Sequence, residues 1–283
     1  MRSTVRVPAT SANIGPGFDC FGLALDLCNE ITVDIHAEPK ITWGGEGEDE
    51  LPVDGSDLIS ETMRRVADGR ALPAFAMHGV NRVPLARGLG SSSAAVVAGV
   101  VAALTLLGSE PTPMAAFPLA SSIEGHPDNA APACCGGFTI ALPDGAVHRF
   151  DAHPDVRPVL LVPELRGSTV EARAVLPDLV PRADAVFNAA HAALMVRALT
   201  DDPGLLGDAL QDRMHQDVRL GLVPPVAEVF RALRDDGVPV CVSGSGPTLL
   251  AFETRATVPD PGDGWRVLRP AIRARGFDLV SET

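Results

Sequence analysis

The chain has no tyrosine and a single lysine, Lys40, in 283 residues. Without tyrosine, a ring that stacks on a ligand has to be Phe or Trp. With no lysine beyond Lys40, the usual phosphate loop ending in Gly-Lys-Ser or Gly-Lys-Thr is missing. Positive charge is almost wholly arginine, which we read as the trace of a GC-rich coding sequence. Cysteine is scarce too. Cys20, Cys28, Cys134, Cys135 and Cys241 make an odd number with no C-x-x-C spacing. That argues against a disulfide framework or a zinc site and for a reducing, cytoplasmic setting. The opening MRSTVRVPAT has no apolar core of the kind a secretory leader needs. No run reaches the roughly 18 apolar residues of a membrane span. The best candidate, AAVVAGVVAALTLLG (94–108), reads as a buried helix. The formal net charge is -13, so the general surface repels nucleic acid and anionic lipid. An anionic ligand has to be caught by a local device.

What is present is a globular composition, 46% hydrophobic and 21% charged, enough for one large domain or two modest ones. STVRVPAT, NEITVDIH, FAMHGVNRVP and RPVLLVPE read as strands. LISETMRRVADG, the 94–108 stretch, PTPMAAFPLASSIEG, STVEARAVLP, RADAVFNAAHAALMVRALT and VAEVFRALRDDG read as helical, and DPGLLGDALQDRMHQDVR carries another helix. GGFTIALP and GAVHRFD form a hairpin around Pro143, Asp144 and Gly145. The pattern restarts near residue 150, which suggests two domains, 1–150 and 151–283. Strands and helices do not alternate regularly, so the class is α+β and not a doubly wound sheet.

One loop asks for an explanation. PLARGLGSSSAAVVAG (84–99) packs three glycines and three successive serines into a stretch that then turns apolar. Gly88 and Gly90 open backbone conformations closed to other residues, so several N–H groups can face one concavity. Free N–H groups and the dipole at a helix start favour an anion. The missing lysine charge then needs a substitute, and a magnesium ion held by hydroxyls fits. The same residues also suit a plain serine N-cap with glycine spacers.

RGLGSSSAA resembles the phosphate loop of the GHMP kinases. VRVPATSANIGPGFDCFGLALDL resembles that superfamily's first motif and VSGSGPTLLAF its third, in the right order. IEGHPDNAAPACCGGF, STVEARAVLP and DRMHQDVR resemble segments of its homoserine kinase branch. The resemblance covers nearly the whole chain. It implies a two-domain α+β architecture, with an N-terminal ATP-binding domain (1–150) and a C-terminal domain (151–283) that enclose the substrate site. It also implies ATP, Mg2+, the small-molecule substrate L-homoserine, a role in threonine synthesis and a homodimer.

Residue by residue, the resemblance gives the triphosphate to Pro84, Leu85, Ala86, Arg87, Gly88, Leu89, Gly90, Ser91, Ser92, Ser93 and Ala94. Ser93 and Glu124 hold the metal. Asp19, with Asn13 beside it, takes the substrate ammonium. Arg173 and Arg219 take its carboxylate, for which a guanidinium fork is the matching shape. His126 and Asn129 lie near the reacting hydroxyl, and Thr169 donates to the γ-phosphate. Asn129, Thr169 and Arg173 form the catalytic group. Taken alone, Asn13 and Asp19 are also ordinary turn residues, and Glu124 a solvated helix-end charge. Many GHMP kinases have an aspartate where Asn129 stands. Asparagine cannot accept a proton, so a reaction without a side-chain base is expected, with Asp128 as the alternative. Asp57 departs from the family's asparagine near the adenine, and HQDVR from its HQPYR. Cys134 and Cys135 read as core filling. Two rival readings remain: a GHMP kinase for a mevalonate-like alcohol, and a non-catalytic GHMP-fold binding protein.

Overall fold

A computed structural model of the chain describes residues 1–254 and 257–282. It is built on β1 (Arg2–Ala12) and β2 (Phe21–Asp34), two long antiparallel strands. Their pairing shifts register between Pro8 and Ala9, so the ribbon changes direction there. On one side of the shift Val5, Val7, Ile31 and Val33 enter a first core. On the other side Ala9, Leu23 and Leu25 enter a second. β3 (Ile41–Gly45), β4 (Ala76–Asn81), β5 (Phe138–Ala141), β6 (Val147–Phe150) and β11 (Asp278–Glu282) complete a seven-stranded sheet. Its main path runs β11-β1-β2-β4-β3, and β5 joins β2 to β6. The hairpin expected around Pro143–Gly145 is the β5–β6 pair.

Four helices cover this sheet: α1 (Leu58–Ala67), α2 (Ser91–Leu106), α3 (Pro113–Glu124) and α4 (Ala130–Cys135). α2 carries ten buried residues and no charge, as an enclosed helix should. A second sheet runs β10 (Trp265–Leu268), β7 (Pro158–Pro163), β9 (Leu249–Phe252), β8 (Val240–Val242). Between the sheets Leu160, Leu250 and Phe252 meet Leu23, Leu25 and Phe138, with Met195 and Leu199 of α6 (Arg182–Thr200). On the far face, α9 (Pro224–Asp235) packs Val226, Phe230 and Leu233 on the second sheet. β11 carries the end of the chain back to β1, in the first sheet.

The helix expected within DPGLLGDALQDRMHQDVR is there in pieces. It breaks into a 3-10 turn (Pro203–Leu205), α7 (Leu206–Ala209) and α8 (Gln216–Leu220). The cause is Asp212. Its carboxylate accepts the amides of Met214, His215 and Gln216 at 2.8–3.0 Å, so the side chain replaces the backbone ladder there. α5 (Thr169–Ala174) is a short helix capped by Ser168. α4, β10 and β11 were not expected. α4 has Pro132 in its first turn, where proline is tolerated, and β10 and β11 are short edge strands. The thiol of Cys134 is fully enclosed and pushed up by burial, in keeping with core filling. No helix among the described residues is long and apolar enough to cross a membrane.

Candidate active site

A cavity of about 500 Å³ opens beside the N-terminus of α2, and its wall comes from both halves of the chain. The glycine loop forms one side. Gly88 and Gly90 have φ of 71° and 66°, as their freedom from a Cβ suggested, and Ala86 shares the left-handed region at 55°. Gly90, not a serine, is the N-cap of α2, and it offers no side-chain cap. The first bond of the helix ladder runs from Ala94 N–H to Gly90 O, so the amides of Ser91, Ser92 and Ser93 come before it. The plain serine cap is therefore absent and an anion-seeking helix start remains. Leu85 to Ser92 and Ala94 line the cavity, while Pro84 is buried behind it. Arg87 faces away from a phosphate role. Its guanidinium donates to the carbonyls of Leu85, Pro163 and Glu164 and ties the loop to β7.

Two further motifs hold the loop in place. Thr10 N–H donates to Leu89 O at 3.0 Å. Ser243, in the glycine loop between β8 and β9, donates to Gly88 O at 2.7 Å and lies 2.8 Å from the Ser11 hydroxyl. A Cβ on Gly88 would fall 2.2 Å from Ser243 O, so glycine is required for this contact. The three quoted motifs thus converge on one spot.

Glu124, the last residue of α3, faces the start of α2. Its carboxylate accepts a hydrogen bond from Ser93 Oγ, with Ser92 as a second hydroxyl donor. Burial pushes its carboxyl above the usual range, and those hydroxyl bonds only partly offset this. A half-buried carboxylate beside serine hydroxyls is a hard oxygen donor set in need of a positive charge, which suits magnesium.

Across the cavity, Asn13 and Asp19 both sit at φ 55°, and Asn13 Oδ1 accepts Asp19 N–H at 2.8 Å. Both are turn residues; Asn13 also lines the cavity, and Asp19 adjoins it through Arg173. Asp19 forms a two-pronged ion pair with Arg173 of α5, at 2.8 and 3.2 Å. Arg219 lies deeper, 4% exposed. Its Nη1 donates to Gly244 O and to His215 Nδ1, while its Nε is buried with no partner. His126 Nδ1 donates to Asp128 Oδ1 at 3.1 Å, and Thr10 Oγ1 donates to Asn129 Oδ1 at 2.7 Å. The Asn129 amide nitrogen is then the atom left for a ligand. Thr169 Oγ1 lies 3.3 Å from Ser245 Oγ on the cavity wall. Asp57 is not free to read a base. It caps α1, and its two oxygens accept Ser60 N–H and Ser60 Oγ–H.

A protein-family description, "GHMP kinases N terminal domain", matches residues 57–137, and "GHMP kinases C terminal" matches residues 176–259. A homoserine kinase of Streptomyces avermitilis is 41% identical over 289 residues, covering 98% of this chain and 95% of its own. The chain belongs to the homoserine kinase family of the GHMP kinases. A homoserine kinase of Clavibacter michiganensis is 43% identical over 270 residues, 92% of this chain and 84% of its own. The crystal structure of homoserine kinase from Cytophaga hutchinsonii superposes with a TM-score of 0.84 at 26% identity, over 99% and 97% of the two chains. A mevalonate kinase structure shares the fold, with a TM-score of 0.66 at 12% identity. The expected two-domain GHMP fold, with mixed helices and sheets, is the one this family adopts.

Sequence reasoning missed His215. It is fully enclosed, and its Nε2–H donates to Gly15 O at 2.7 Å, which leaves Nδ1 to accept Arg219. Burial pushes its imidazole down, and the neutral form is the one that can accept from an arginine. The four-residue spacing from His215 to Arg219 was the available signal, since it sets both on one helix face.

His126 offers a direct check of the site's electrostatics. Its hydrogen bond to Asp128 raises it above the ordinary 6.5. The stability from this pair is therefore complete below 6.5 and lost as pH rises through the folded value. In Asp128→Asn the ring's titration, followed by NMR, should move down and this pH dependence should disappear. An unmoved midpoint would show that Asp128 is not the partner.

Proposed function

We propose that the protein transfers the γ-phosphoryl group of ATP to the side-chain hydroxyl of L-homoserine, giving O-phospho-L-homoserine for threonine synthesis. The observation that carries this reading is one cavity with a glycine loop at a helix start on one side and a buried arginine with an unpartnered Nε on the other. The first suits a polyphosphate, the second a carboxylate. Its relatives named homoserine kinase, near 40% identical over almost their full length, support the same substrate.

In this reading the amides of Ser91–Ser93 and the loop backbone hold the triphosphate. Ser93 and Glu124 would hold Mg2+, which neutralises developing phosphate charge when bound. Asp19 and Asn13 take the ammonium, and Arg173 and Arg219 take the carboxylate. The Asn129 amide and His126 orient the hydroxyl, while Thr169 donates to the γ-phosphate. No side chain is needed as a base. Phosphoryl transfer through a loose transition state depends on alignment and charge stabilisation, and the proton leaves late to phosphate or water. The two sheets support a division into an ATP-binding half (1–150) and a C-terminal half (151–283), with the last strand crossing back. A homodimer in the cytoplasm completes the reading.

The test is ADP release with ATP, Mg2+ and a panel of acceptors: homoserine, mevalonate and simple amino alcohols. Turnover should be largest with homoserine. Preference for mevalonate, or no turnover with any acceptor, would overturn it. The base question has its own measurement. Asp128→Asn should keep kcat within about tenfold of native, because removing an obligatory base costs roughly 10²–10⁴-fold. A loss in that range with both substrates still bound would make Asp128 the base.

A further inference from the structure

The two groups assigned above to the substrate's opposite charges are bonded to each other. Asp19 and Arg173, 154 residues apart in the chain, meet in a two-pronged pair at 2.8 and 3.2 Å. Each side chain is 36% exposed, so the pair stands within reach of a ligand and not sealed in the core. Arg219 is the opposite case, buried, with an unused Nε. One arginine is therefore ready for a carboxylate and the other is engaged.

We propose that the Asp19–Arg173 pair stands in for a zwitterion, and that an acceptor enters by exchanging partners with it. The ammonium takes Asp19, the carboxylate takes Arg173 together with Arg219, and the internal pair opens. The inference rests on the substrate reading above and adds a consequence to it. A zwitterion replaces both halves of the broken pair. A ligand with only an ammonium breaks the pair and leaves Arg173 without a counter-charge, with Arg219 nearby as a like charge. A ligand with only a carboxylate leaves Asp19 alone, with Asp128 in the same region. Either half-ligand is penalised by a charge it does not touch. The site thus selects amino acids against both amino alcohols and hydroxy acids with a single device, and the two charges of the substrate bind cooperatively.

This cooperativity can be measured on the native protein with the substrate in two pieces. The probes are 3-aminopropan-1-ol and formate, with binding followed by calorimetry. Each opens the pair for the other, so formate should tighten the amino alcohol and, by linkage, the amino alcohol should tighten formate by the same factor. For an exposed ion pair the expected factor is about 2- to 5-fold. Two variants give a crossed pattern. Asp19→Asn keeps a residue type that tolerates the left-handed backbone and frees Arg173, so 4-hydroxybutyrate should bind about 2- to 5-fold more tightly than to native protein. Arg173→Gln, on the surface of a short helix, frees Asp19 and should do the same for 3-aminopropan-1-ol. Homoserine should weaken in both. If native protein phosphorylates homoserine but the half-ligands bind independently and gain nothing in the variants, the exchange is wrong and the substrate reading stands. If native protein does not phosphorylate homoserine, both fall.

Discussion

Glu124→Gln should lower kcat by about 10²–10³-fold and leave the fold intact. The change keeps the shape and an oxygen that accepts from Ser93 Oγ, and removes the charge. Burial already works against that charge, so the free protein should be no less stable without it. The loss falls on the metal. A cation clamp on a transferring phosphoryl group is worth several kcal/mol, and ~3–4 kcal/mol corresponds to the stated range in rate. Activity alone does not separate metal binding from other roles. The decisive comparison is ATP affinity by calorimetry with and without Mg2+. In native protein the ion should strengthen ATP binding, and in Glu124→Gln that gain should vanish. A proton competes with a cation for the carboxylate, so in native protein the gain should begin to fade as pH drops at values above 4.5, the ordinary value for glutamate. If the variant keeps both its turnover and the Mg2+-dependent gain, Glu124 is not the metal carboxylate.

What could be read in the sequence was local. Gly88 and Gly90 announce positive φ because glycine takes it at no steric cost, and both adopt it. The apolar run after the serines announces a buried helix, and α2 is one. The three motifs were legible as motifs, but not as neighbours. That Ser243 bonds Gly88 O, 155 residues away, depends on how two sheets pack. The Asp19–Arg173 pair is of the same kind, since neither the turn holding Asp19 nor the α5 sequence implies the other. The helix expected within 202–219 is present as two short pieces, because one carboxylate, Asp212, competes with the backbone for three amides between them. The return of β11 to β1 left no local trace at all, because an edge strand is defined by its neighbour. Arg219 was picked out by resemblance, while its orientation by His215, Gly15 and Gly244 is a tertiary fact.

Gly90 has a second reason to lack a Cβ, besides the one its sequence context suggests. From sequence, its missing Cβ leaves room for phosphate. In the fold, a Cβ there would fall 1.9 Å from Thr10 Oγ1 and 2.9 Å from Asn129 Oδ1, on the β1 side of the loop. Gly90→Ala therefore collides with the hydroxyl that holds Asn129, at a backbone φ of 66° that L residues avoid. The left-handed backbone costs ~1–2 kcal/mol and loss of the Thr10–Asn129 bond a further ~0.5–1.5 kcal/mol. The melting temperature should fall by roughly 5–12 °C for a chain of this size. Adding Thr10→Ala removes the atom struck first. The double variant should be more stable than the sum of the two single losses, by a coupling of ~0.5–3 kcal/mol, as expected for side chains in contact. ATP affinity should behave differently. It should stay low in the double variant, because the strained φ and the approach to Asn129 still tilt the amides at the start of α2. Additive stabilities would show that the new Cβ does not meet Thr10. Native ATP affinity in a folded Gly90→Ala protein would remove the loop from the nucleotide site altogether.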